Sequence, residues 1–139
     1  VPLIAGFGAA CQLAGETIGE ESAQIGHLRD RLWEGLQNEV DGVRVNGHPD
    51  RRLTGNLNVS FDDVDGDALM MGLTEIAVSP GSACTSPDPE PSHVLRAMGL
   101  SDQLTRASLR FGLGRFNTIE EIDFAIEHVA AAVRRLRQS

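Results

Sequence analysis

The chain predicts an α/β fold, with a small sheet of about four strands packed with helices and preceded by one long helix. Three observations carry that expectation. Apolar residues recur at helical spacing from Leu3 to Val40. Two segments, Leu57–Val59–Phe61 and Leu109–Phe111–Leu113, alternate apolar with polar residues as half-buried strands do. Thr118 and Glu121 stand three apart ahead of an apolar stripe, the signature of a capped helix start. The length of 139 residues fits one domain, 1–139, with a core that needs no disulfide or metal.

Pro2 suits the first turn of a helix, where its missing N–H would be unpaired anyway. Leu3, Ile4, Phe7, Ala10, Cys11, Ala14 and Ile18 form one stripe, and Ile25, Leu28, Leu32, Leu36 and Val40 a second. Residues 2 to about 39 are therefore expected as one long helix, bent or in two pieces. Gly6, Gly8, Gly15 and Gly19 weaken its first half in isolation and imply close packing against something larger. A short strand is expected at Val43–Asn46, then the loop GHPDRRLTG, then the strand through Leu57, Val59 and Phe61. A short helix, Leu69–Leu73, opens at Val64 or Asp65, and Ile76–Ser79 reads as a strand. PGSACTSPDPEPS has no apolar anchor and predicts an exposed loop. A helix through His93, Val94, Leu95 and Met98 precedes the strand of Leu109, Phe111 and Leu113. The last helix carries Ile122, Ile126, Val129, Val133 and Leu136 on one face, with Arg134, Arg135 and Arg137 where its dipole favours cations.

Composition narrows the chemistry. A net charge of −8 argues against nonspecific nucleic-acid or anionic-membrane binding. No apolar run approaches the roughly 20 residues that span a bilayer. No basic segment precedes an apolar one as in a signal peptide. The start at Val1 points to a processed chain or a piece of a longer one. Two distant cysteines make neither a disulfide framework nor a zinc site and suit a reducing compartment. All twelve positive residues are arginines, so a lysine amine must come from elsewhere.

Cys84 is the central candidate. Gly81, Ser82, Ala83, Thr85, Ser86 and Pro87 give it no apolar face to bury against, and a thiol among small residues can reach a substrate and then an acceptor. Composition alone leaves reactive and inert readings both open. Cys11 lies on the first apolar stripe and is expected in a packed core. Arg110 lies between Leu109 and Phe111, so its side chain points away from the core face. It is either a solvated or salt-bridged sheet arginine or a rigid fork that grips a carboxylate. Arg115 reads as a turn residue. His93 can pair with a thiol or serve a helix start, and His27, His48 and His128 have no metal-ligand spacing.

The runs NLNVSF, IAVSPGSACTS, EPSHVLRAMGLS and SLRFGLGRFNTIEEID together resemble the C-terminal part of the NifS/IscS group of cysteine desulfurases. VPLIAGFGAACQLA is similar to that family's helix joining a large cofactor domain to a small one, which makes about 1–20 the link. GSACTS resembles the long-loop group rather than the compact-loop SufS-like one. The resemblance implies the small domain of a fold-type I enzyme that uses pyridoxal 5'-phosphate, a homodimer in the cytoplasm or an organelle. It implies that Cys84 takes sulfur from L-cysteine as a persulfide, leaving L-alanine, and that Arg110 binds the substrate carboxylate. Sulfur then passes to acceptor or scaffold proteins in iron–sulfur cluster assembly or thiolation pathways. The lysine and the other cofactor residues belong to the large domain, so the chain alone is expected to hold no cofactor and to be inactive. A stand-alone persulfide carrier and an inert fragment are the competing readings.

Overall fold

The computed structural model describes residues 1–80 and 91–138. Helix α1 (Pro2–Glu39) is continuous over 38 residues, with Pro2 in its first turn. At a rise of 1.5 Å per residue it is about 57 Å long. Strands β1 (Val43–Val45), β2 (Asn56–Phe61), β3 (Ser79–Pro80) and β4 (Ser108–Gly112) form a sheet in the order β1-β2-β4-β3. All three pairings are antiparallel. Helices α2 (Gly66–Gly72), α3 (His93–Ala97), α4 (Asp102–Arg106) and α5 (Ile119–Arg137) complete the order of elements.

The period-2 pattern sends Leu57, Val59 and Phe61 of β2, with Leu109 and Phe111 of β4, into the core. There they meet Leu28, Leu32 and Leu36 of α1 and Ile122, Ile126, Val129 and Val133 of α5. Full burial of one such side chain contributes about 1.5–3 kcal/mol, so this layer dominates the stability of the fold. The two helices approach closely at Gly35, where a Cβ would stand 2.3 Å from Ile126 Cδ1. Across the same seam Arg31 donates twice to Asp123, Nε to Oδ1 at 2.6 Å and Nη2 to Oδ2 at 2.8 Å. Arg134 pairs with Glu39 at the far end. These pairs are exposed and set register more than stability.

The helix starts follow their side chains. Asp65 Oδ1 accepts from Ala68 N at 2.8 Å and opens α2, which runs Gly66–Gly72 rather than Leu69–Leu73. Thr118 and Glu121 form the expected reciprocal box at the start of α5. Helix α4 has no counterpart in the sequence reading. With five residues and only Thr105 buried it displays no apolar period. Its signal was Ser101, whose Oγ accepts from Leu104 N at 3.2 Å.

Two expectations are corrected. The strand anticipated over Ile76–Ser79 shrinks to Ser79 and Pro80, opposite Arg110 and Leu109. Ile76 and Val78 do pack against the core, but from an irregular segment. Alternation there reports burial, not pairing. Cys11 is exposed, not packed. Leu3 (89%), Phe7 (73%) and Ile18 (62%) are exposed with it, and no atom outside the helix backbone comes within 4 Å of a Cβ placed on Gly6, Gly8, Gly15 or Gly19. The described residues pack only on the C-terminal half of α1, where the first buried position is Leu28.

Candidate functional site

The face of the sheet opposite the core is polar. Alternation places Asn58 and Ser60 of β2 there, with Ser108 and Arg110 of β4 and Asn46 just past β1. Asn58 and Arg110 stand directly opposite each other in the β2–β4 register, and Ser79 of β3 flanks Arg110 on its other side. Arg110 is exposed, and the one hydrogen bond of its side chain among the described residues runs from Nη2 to Ser79 Oγ at 3.4 Å. Its guanidinium is therefore rigidly mounted at the backbone and almost uncommitted at its tip.

Arg110 opens onto a cavity of about 310 Å³. The walls come from the β1–β2 loop (His48, Arg51, Arg52), from the sheet (Asn46, Asn58) and from the start of α3 (Ser92, Leu95). Among the described residues no carboxylate lines it. The loop is held by its own side chains: His48 Nδ1 accepts from the backbone N–H groups of Asp50 (3.1 Å) and Arg51 (3.0 Å). Arg52 donates to the carbonyls of His48 (2.8 Å) and Asn46 (3.1 Å). Burial, and then the neighbouring charge of Arg29, pull the Arg52 pKa below its ordinary value. With three guanidiniums and no acid among the described residues, the cavity is suited to an anion.

The other residues singled out from the sequence fall as follows. Cys84 lies outside the described residues. It is four positions beyond Pro80, the end of the strand paired with Arg110. His93 is the exposed first residue of α3 and does not line the cavity. Arg115 sits in a turn and pairs with Glu21 at 3.2 Å. His128 stacks on Phe124 in α5, with ring centroids 5.5 Å apart. Asn46, Asn58, His48 and Arg52 were missed as cavity residues. For Asn58 the signal was present, since the alternation that buries Leu57 and Val59 turns it to the face of Arg110.

The chain is 52% identical over 134 residues to the cysteine desulfurase IscS of Colwellia psychrerythraea, covering 96% of this chain and 33% of that protein. It is 51% identical over 135 residues to the mitochondrial cysteine desulfurase of Arabidopsis thaliana, covering 97% of this chain and 30% of the relative. The chain thus spans about a third of the length of these relatives. Among solved structures, a NifS-like protein from Rickettsia africae superposes with a TM-score of 0.80 at 28% identity, over 94% of this chain and 34% of the other. DndA from Streptomyces lividans gives 0.58 at 32% identity, over 81% and 31%. The aminotransferase class-V family model matches residues 1–124, and the chain accordingly belongs to the class-V aminotransferase family.

Proposed function

We propose that this chain is the small domain of a cysteine desulfurase, with residues 1 to about 20 linking it to a large domain. In this reading L-cysteine and the Cys84 thiol become L-alanine and a Cys84 persulfide. The C–S bond of the substrate breaks, an S–S bond forms on the protein, and the thiol proton completes the alanine methyl group. The persulfide then passes to an acceptor protein. Arg110 holds the substrate carboxylate through its planar fork.

The observation that carries the proposal is the adjacency of Arg110 and β3. Arg110 donates to Ser79, and Cys84 follows Pro80 by four residues. Four residues of fully extended chain reach at most about 14 Å, so the Cys84 Cα cannot lie farther than that from Pro80, a reach that supports the reading without placing the thiol.

The residues present do not fit pyridoxal 5'-phosphate. The sequence has no lysine to bind it covalently, and among the described residues the Arg110 cavity has no carboxylate to pair with a pyridine nitrogen. In this reading the cofactor belongs to the large domain, and the working form is a homodimer in the cytoplasm or an organelle. The test is to supply L-cysteine and pyridoxal phosphate to the chain alone and then with the large domain of a similar desulfurase. Alanine release, and one added sulfur on the peptide containing Cys84, are expected only in the second case. Steady alanine release by the pure isolated chain would overturn the proposal. Sulfur accepted on Cys84 from a persulfide donor, with no alanine even after the large domain docks, would favour a stand-alone carrier.

A further inference from the structure

A one-way chain of hydrogen bonds runs beneath the polar face of the sheet. Ser108 Oγ lies 2.6 Å from the Leu104 carbonyl, which can only accept, so the single Ser108 proton is committed there. Ser60 Oγ lies 2.8 Å from Ser108 Oγ and must therefore donate to it. Ser60 thus has no proton for Asn46 Oδ1, 3.1 Å away, and must accept from Asn46 Nδ2 at 2.7 Å. That orients the Asn46 amide. Its Nδ2 also faces the Asn58 side chain at 2.7 Å, so Asn58 must present Oδ1 to it. Ser60 and Ser108 are fully buried, which protects the chain from competing water.

One group is left over. Asn58 Nδ2 has two N–H bonds and no acceptor among the described residues. It is not one of the sealed, unpaired buried atoms either, so it is reachable from the cavity that Asn58 lines beside Arg110. An amide donor fixed directly across the sheet from an uncommitted guanidinium is the second half of a carboxylate clamp.

We infer that Asn58 is a further substrate-binding residue. Its side-chain N–H donates to the carboxylate that Arg110 grips, and the Leu104–Ser108–Ser60–Asn46 chain holds it in that orientation. The inference rests on the carboxylate role of Arg110 and adds a second donor to it.

The test is an NMR titration of the ¹⁵N-labelled chain with L-alanine, using L-alaninamide, which lacks the carboxylate, as control. The Asn58 side-chain NH₂ and Arg110 Nε–H signals should move together on one curve with L-alanine, and neither with the amide. Asn58→Ala should weaken the affinity about tenfold, the usual consequence of losing a hydrogen bond to a charged group. Ser60→Ala, which frees the Asn46 amide to turn, should weaken it by a smaller factor while the backbone spectrum away from the sheet face stays unchanged. Movement of Arg110 with a still Asn58 NH₂ would overturn the inference and leave the role of Arg110 standing. If neither signal moves, the carboxylate reading fails and this inference with it. Unchanged affinity in Ser60→Ala would remove the orienting chain from the argument.

Discussion

Arg110 and Gly35 show how differently two positions respond to change. The Arg110 side chain contributes one 3.4 Å hydrogen bond among the described residues and is otherwise exposed. Arg110→Ala should therefore leave thermal stability within about 0.5 kcal/mol of the parent, as for other surface substitutions. If Arg110 binds substrate, carboxylate affinity should fall ten- to a hundredfold, matching about 1.5–3 kcal/mol for a charge-assisted bond. Lys at the same position should restore only part of it, because an ammonium lacks the planar fork. Calorimetry and ligand titration on the same protein check both halves, and lost stability with unchanged affinity would mark Arg110 as structural. Gly35 is the opposite case. A Cβ there meets Ile126 Cδ1 at 2.3 Å and Cγ1 at 2.8 Å. Overpacking of this kind costs about 1–3 kcal/mol, against about 1 kcal/mol gained from the helix preference of Ala. Gly35→Ala should lower the unfolding midpoint, and adding Ile126→Val, which removes Cδ1, should recover part of the loss in a double-mutant cycle.

Helix α5 carries its own start signal, and that signal is testable. Thr118 Oγ1 accepts from Glu121 N at 3.3 Å, while Glu121 Oε2 accepts from Thr118 N at 3.1 Å and from Asn117 Nδ2 at 3.0 Å. Thr118→Ala should destabilise the protein by about 1 kcal/mol in denaturant titration, the usual cost of a lost cap. The same bonds hold the Glu121 carboxyl below its ordinary pKa, the Asn117 side chain first and the Thr118 backbone next. Arg31 does the same for Asp123. A pKa lower in the folded than in the unfolded chain gives stability that is fully present above the ordinary carboxylate pKa and lost as pH falls below it through the lowered folded value. Stability should decline on acidification, and less steeply in Glu121→Gln, whose side chain cannot titrate. Elements of this kind were legible in the sequence because their cause is local: the Thr118 box, the stripe of α5 and the alternation of β2 and β4 need no knowledge of what lies opposite. Helix α4 and the true extent of β3 were not. Five residues are too few to display a period, and Ile76 and Val78 bury themselves without a partner strand. Of the site, Arg110 was legible from alternation, whereas the hydrogen-bond chain that orients Asn58 joins residues 46, 58, 60 and 108, which only the folded sheet brings together.

The whole molecule is a folded body with half a helix left over. Leu28, Leu32 and Leu36 anchor the C-terminal part of α1, but Leu3, Ile4, Phe7 and Ile18 form an apolar stripe that nothing among the described residues covers. The reading of Cys11 as a core residue failed for this reason. Its stripe is apolar at helical spacing, yet no described residue packs against it. A helix of about 20 residues without tertiary contacts is marginal in water, and four glycines lower it further by about 1 kcal/mol each relative to Ala. The cohesion of α1 should therefore change sharply along its length. Hydrogen exchange on the isolated chain should find backbone amides of residues 6–20 exchanging close to the open-helix rate. Those of residues 29–39 should be protected to nearly the global stability. The relatives are about three times as long as this chain, which supplies the covering surface in the proposed reading. Adding the large domain of a similar desulfurase should then protect residues 6–20 and shield Cys11 from alkylation, leaving Cys84 as the more reactive thiol. If residues 6–20 are fully protected in the isolated chain at concentrations too low for self-association, α1 is stable by itself. If they stay open and Cys11 stays reactive after the large domain has bound, the stripe is not the surface that joins the two parts.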